Sequence, residues 1–222
     1  MKGAKFTRRL LSWYRKQARD LPWRRTRNPY HVIVSEFMLQ QTQVSRVELY
    51  YRKFLARYPT LESLSRARPR GVRETWEGLG YYRRAENLHR LAQVVVKDHA
   101  GVIPSDPEVL ETLPGVGAYT AGAVASFAYE RRSAAVDTNV IRVLGRVFSG
   151  ARFAVRGARG KAANTRRIWE IAEGLLPRKG AVVWEFNQAL MDLGATICVA
   201  RKPRCAQCPV TTVCRSVSDT GL

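Results

Sequence analysis

Ten prolines, at positions 22, 29, 59, 69, 104, 107, 114, 177, 203 and 209, cut the 222-residue chain into segments, and most of those segments carry a helical period. Leu88, Leu91, Ala92 and Val95 recur at i, i+3, i+4 and i+7 and mark one buried helical face after Tyr82. Ser105, Asp106 and Pro107 supply a helix start, with a capping side chain followed by proline at the first helical position. Few stretches alternate at period two, and Val94, Val95 and Val96 sit inside a longer helical pattern. The predicted class is all-α. Internal repeats and low-complexity linkers are missing from the sequence, and residues 150–161, rich in Gly, Ala and Arg, are the best candidate for a mobile, solvated loop.

A chain of this length can bury a sizeable core, as one large domain or two small ones. No apolar run approaches the ~20 residues needed to span a bilayer. Leu10 and Leu11 are followed by Trp13, Tyr14 and more charge, so a signal-peptide core is missing. The expectation is a cytoplasmic, nucleoid-associated monomer with no membrane partner. Lys plus Arg outnumber Asp plus Glu by 38 to 18, a formal charge of +20. Such a surface attracts a polyanion and holds it by counterion release. Residues 1–27 hold ten basic side chains against Asp20, and residues 151–170 hold six against Glu170. Two basic patches fit a long ligand, with nucleic acid the expected partner. Charge alone also admits a surface tuned for solubility, or one that binds anionic membranes.

All four cysteines, Cys198, Cys205, Cys208 and Cys214, fall within seventeen residues as C-x6-C-x2-C-x5-C. A disulfide scaffold would spread them over the fold, whereas four thiolates this close can close around one metal centre. Zinc and an iron–sulfur cluster both remain open on spacing. Either would stiffen the Cys198–Cys205 loop and turn Arg201, Lys202 and Arg204 outward, a structural role that sets positive charge against phosphates. Upstream, Leu113, Pro114, Gly115, Val116 and Gly117 lie between a short helix and the small-residue helix 118–128. Two glycines one residue apart permit a tight turn with N–H groups exposed at the next helix's N-terminus, where an anion is favoured. A DNA phosphate fits there; an ordinary turn between packed helices is the plain alternative.

Five segments carry a recognisable signature: Ser-Glu-Phe-Met-Leu-Gln-Gln-Thr-Gln-Val at 35–44, Gly-Leu-Gly-Tyr-Tyr at 78–82, the hairpin 113–117 with Tyr119, Val-Asp-Thr-Asn-Val at 136–140, and Met-Asp-Leu-Gly-Ala at 191–195 leading into the cysteines. Together, from about residue 21 to 214, they resemble the adenine DNA glycosylase (MutY) branch of the endonuclease III, helix-hairpin-helix DNA glycosylase superfamily. The resemblance implies a [4Fe-4S] cluster on the four cysteines. It also implies an all-α fold with a six-helix barrel at 22–132, an iron–sulfur cluster domain from 1–21 and 133–222, and an active site in the cleft between them. It stops at the cysteine module, because the chain ends at Leu222, and so implies a member without the C-terminal domain that recognises 8-oxoguanine.

Releasing a purine requires a leaving base neutralised by protonation and a cation-like sugar stabilised by negative charge, hence two carboxyl groups in different environments. Glu36, in the otherwise apolar stretch 34–39, is expected in a dry pocket that favours its proton-donating form. By resemblance it protonates N7 of adenine. Asp137, just before a helix, is expected to stay ionised and to stabilise or attack the oxocarbenium, and the resemblance adds Asn139 to the catalytic set. Plain readings are an exposed helix glutamate and an ordinary N-cap. Superfamily members that cut the backbone carry lysine where Tyr119 stands. Tyrosine forms no Schiff base, so a monofunctional enzyme is expected. The base must be turned out of the duplex. By resemblance Gln41 and Tyr81 wedge into the stack, Trp23, Arg24, Leu39 and Gln188 line the adenine pocket, and Gln40 joins the hairpin among the DNA contacts. The alternatives are a thymine or uracil glycosylase acting opposite guanine, a non-catalytic DNA-binding module, and a redox protein.

Overall fold

A computed structural model describes residues 2–150 and 161–220. Residues 151–160, the core of the expected loop, lie outside the described residues. The described chain is helical with no strand. Its elements are α1 (Lys2–Gln17), α2 (Pro29–Leu39), α3 (Val44–Arg57), α4 (Leu61–Ser65), α5 (Pro69–Thr75) and α6 (Arg83–Asp98). There follow α7 (Pro107–Glu111), α8 (Ala118–Tyr129), α9 (Thr138–Leu144), α10 (Lys161–Leu175), α11 (Gly180–Thr196) and α12 (Arg215–Thr220). Proline stands at the first turn of α2, α5 and α7, and Asp106 caps α7 through the Glu108 N–H, as the sequence predicts. Among the described residues no helix is long and apolar enough to cross a membrane.

The chain packs as two units, Asp20–Arg131 and Met1–Arg19 with Arg132–Leu222. In the first, α2 is the central helix. Its residues 32–34, 37 and 38 are apolar and at most 2% exposed, so it is covered on all sides. Small residues let α8 lie close against it: Ala121, Ala123 and Ala125 are all fully buried. The face of α6 read from the sequence is also inside, with Leu88, Leu91, Ala92 and Val95 at 0% exposure.

The second unit joins the chain's first helix to its last third. Phe6, Leu10, Leu11 and Tyr14 of α1 pack with Val140, Val143 and Leu144 of α9 and with Val183, Phe186, Leu190 and Leu193 of α11. A buried carboxylate helps close the join. Asp192 on α11 is completely buried, accepts from the Arg19 backbone N–H at 3.1 Å, and pairs with its guanidinium at 2.6 Å. Removing one partner of a buried pair leaves a desolvated charge behind. Arg19→Ala is predicted to destabilise this unit by about 3 kcal/mol, a fall of roughly 6–12 °C in melting temperature, measurable by circular dichroism.

Candidate active site

Glu36 is 3% exposed, because every neighbour along α2 is drawn into the core. A buried carboxyl left unpaired costs several kcal/mol, and here the packing of α8 on α2 supplies a partner. Tyr119, in the first turn of α8, donates its hydroxyl to Glu36 Oε2 at 2.7 Å across 83 positions of sequence. Two of the residues predicted for catalysis are therefore in direct contact.

The hairpin ahead of α8 holds Tyr119 in place. Leu110, Leu113 and Val116 are buried anchors. Gly115 takes a positive φ of 78°, and a Cβ there would lie 2.8 Å from Asn87 Cβ and 2.9 Å from Phe37 Cε1, so no other residue fits. Gly117 differs. Its φ is −111° at the N-cap of α8 and an added Cβ would meet nothing within 4 Å, so the turn itself needs only one of the two glycines. Gly115, Gly117 and Ala118 are exposed, and the first N–H groups of α8 have no acceptors in their own helix. Leu113 and Val116, expected among the DNA contacts, have side chains only 3% and 8% exposed and offer backbone alone.

Gln41 and Tyr81 sit on two turns that line one groove together with Thr42, Gln43, Arg46 and Gly78. Both adopt left-handed backbone, at φ 56° and 48°, and both are exposed, Tyr81 by 62%. For non-glycine residues that conformation costs of order 1–3 kcal/mol each, and such strain collects at functional sites. Of the expected pocket residues, Trp23 is buried and packs edge-on against Tyr51 at 5.5 Å. Arg24, Leu39 and Gln40 are half-buried, the latter two at the end of α2. Gln188, on α11 of the other unit, is 5% exposed.

Asp137 is the N-cap of α9, accepting from the Val140 N–H at 2.7 Å, so the plain reading of this residue holds whatever else it does. Its second oxygen accepts from Asn139 Nδ2 at 2.7 Å. Asn139 Oδ1 accepts in turn from Arg142, whose guanidinium also donates to the carbonyls of Gly194 and Cys198 at 2.7 Å. Burial pulls the Arg142 guanidinium below its usual range. Gly194 permits this approach, since a Cβ there would stand 2.6 Å from Asn139 Cβ.

The thiols of Cys198, Cys205, Cys208 and Cys214 all line one cavity of about 150 Å³, walled also by Val143, Val147, Leu193, Ile197 and Val210. Burial pushes the Cys208 thiol up to about 11 and raises that of Cys205. A metal bound there would displace those protons. Among the described residues no three His, Cys, Asp or Glu side chains converge to hold a single ion. Arg201, Lys202 and Arg204 are exposed, as expected of that loop. Sequence reasoning missed Arg84 and Arg142. For Arg84 a signal existed: cations in the first turn of a helix oppose its macrodipole and need another reason to be there.

Residues 34–162 match the model of the HhH-GPD superfamily of base excision DNA repair proteins, and the chain belongs to that family. It is 48% identical to the adenine DNA glycosylase of Mycolicibacterium smegmatis over 91% of this chain and 66% of that one. It is 43% identical to the adenine DNA glycosylase of Rattus norvegicus over 97% of this chain and 42% of that one. The chain thus spans from under half to about two thirds of these relatives' length. A solved structure of a thermostable thymine-DNA glycosylase superposes with a TM-score of 0.88 at 34% identity, covering 98% of this chain and 97% of that one.

Gly115→Ala is predicted to destabilise the first unit by about 2–3 kcal/mol, through overpacking against Phe37 and the positive φ. Gly117→Ala should cost under about 1 kcal/mol, its φ being open to any residue. Urea unfolding of the two variants checks the contrast.

Proposed function

We propose that the protein is a monofunctional DNA glycosylase of base excision repair that hydrolyses the N-glycosidic bond of adenine mispaired with guanine or 8-oxoguanine. The observation that carries this reading is the buried Glu36 carboxyl held by the Tyr119 hydroxyl, in a chain whose relatives over nine tenths of its length are named adenine DNA glycosylases.

Glu36 acts as the general acid, giving its proton to N7 so that adenine departs neutral. Tyr119 orients that carboxyl and lacks the amine needed to trap the sugar as a Schiff base. Asp137 supplies the negative charge that stabilises the oxocarbenium or attacks it, and Asn139 holds that carboxylate in one orientation. Double-stranded DNA is gripped through the N–H groups at the start of α8 and through the basic surface. Gln41 and Tyr81 fill the gap left by the extruded nucleotide, and Trp23, Arg24, Leu39, Gln40 and Gln188 line the path of the base.

The four cysteines suit a [4Fe-4S] cluster. Four cysteines lining one cavity of about 150 Å³ leave room for a group of several atoms held by four thiolates. When bound, the cluster stiffens the loop that presents Arg201, Lys202 and Arg204. In this reading residues 22–132 form the six-helix barrel, 1–21 with 133–222 form the cluster domain, and the protein works as a nucleoid-associated monomer. One observation favours a second substrate: the likeness to a thymine-DNA glycosylase covers that chain almost from end to end.

The deciding experiment incubates the protein with duplexes carrying A·G, A·8-oxoguanine, T·G and U·G pairs and identifies the released base by chromatography. Adenine release supports the proposal, thymine or uracil release replaces it with the second reading, and no release from any duplex overturns both. Glu36→Gln should slow release by about 100-fold or more while leaving duplex affinity within about twofold; unchanged release would remove its role as acid. Tyr119→Lys should introduce strand nicking. Purified protein should carry iron and sulfide in equal amounts, and Cys208→Ser should lose both.

A further inference from the structure

Arg84 is 7% exposed and, among the described residues, forms no salt bridge, an unusual state for a guanidinium. It stands in the first turn of α6, the end of a helix that repels cations. Its two terminal nitrogens reach two different turns. Nη1 donates to the carbonyls of Phe37 at 3.0 Å, Met38 at 2.8 Å and Gln40, the last acceptors of α2. Nη2 donates to Thr42 Oγ1 at 3.0 Å and to the carbonyls of Leu79 and Gly80 at 3.1 Å. The guanidinium also lies 5.5 Å from the ring centroids of Tyr81 and Trp76.

Each turn carries one strained, exposed residue, Gln41 at φ 56° and Tyr81 at φ 48°. Strained backbone persists only where the surroundings over-determine it, and here the common surroundings are one side chain. The acceptors on the first turn flank Gln41, at 40 and 42. Those on the second run up to Tyr81, at 79 and 80. A planar fork can bridge two turns at once; a lysine ammonium keeps the charge but not the fork.

We propose that Arg84 is a positioning residue that locks the 40–42 and 79–81 turns to each other, holding Gln41 and Tyr81 in register to enter the duplex together. Its wedge role rests on the glycosylase reading given above, whereas the locking of the turns does not.

The test compares wild-type protein with Arg84→Lys and with Tyr81→Ala. Hydrogen–deuterium exchange reads the lock itself: Arg84→Lys should lose amide protection at 39–43 and 78–83 while α8 and residues 132–150 keep theirs. Unchanged protection at both turns overturns the proposal whether or not the protein excises a base, and loss of protection throughout the chain overturns it in favour of a general folding role. Fluorescence of 2-aminopurine placed beside an A·G pair then reads unstacking without requiring chemistry. Arg84→Lys should reduce the rise seen on wild-type binding as far as Tyr81→Ala does, and a full rise overturns the wedge role. If wild-type protein excises adenine, single-turnover release from A·G should fall about 100-fold in Arg84→Lys, with a far smaller loss when adenine sits opposite an abasic site. Equal losses on the two duplexes contradict a role in opening the stack. Absence of release from wild type rejects the glycosylase reading and leaves the lock to be judged by exchange and fluorescence.

Discussion

A carboxyl that is 3% exposed, on a helix whose core is apolar apart from Ser35, has to be paired, and the Tyr119 hydroxyl at 2.7 Å is a partner for it. That contact ties α2 to the first turn of α8, so the start of α8 has to be held in place. It is held by the hairpin, where buried Leu113 and Val116 anchor the turn and Gly115 allows Phe37 and Asn87 to close over it. The same turn exposes the N–H groups that suit a phosphate. One buried acid thus connects the core of the unit, the position of Tyr119 and the hairpin that precedes α8.

The basic composition does two jobs, and only one of them faces outward. Helices joined by short turns leave carbonyls without partners at their C-terminal ends, and several arginines meet them from inside the protein. Arg84 covers the end of α2, Arg142 takes the Gly194 carbonyl in the last turn of α11 and the Cys198 carbonyl beyond it, and Arg146 donates to Val199 at 2.8 Å and Ala200 at 3.0 Å. Arg19 serves the buried Asp192. The formal charge of +20 therefore overstates the charge available to a polyanion. The cations left to a polyanion are exposed ones such as Arg83, Arg201, Lys202 and Arg204.

Much of this was legible locally. The helical periods, the caps at Asp106 and Asp137, and a lone charge in the apolar run around Glu36 are written within a few residues of one another. What spacing could not reveal depends on distant packing. Glu36 and Tyr119 are 83 positions apart, and only the close approach of α8 to α2 brings them together. Arg84 reads as an exposed helix-start arginine because its acceptors lie up to 47 positions away. Leu113 and Val116, expected among the DNA contacts, and Trp23, expected in the adenine pocket, have side chains drawn into the core, where turn geometry or an aromatic partner holds them. Family resemblance supplied the roles of Gln41 and Tyr81, but not the left-handed backbone that both share.

The most direct test of the account is a crystal structure of the protein on a duplex holding a 2′-fluoro adenosine opposite guanine, a nucleotide that resists cleavage. The account predicts the adenine turned out of the stack with a Glu36 carboxyl oxygen about 2.7–3.0 Å from its N7. A base left stacked in the duplex, or one turned out with N7 facing solvent and Glu36 still enclosed, would contradict it.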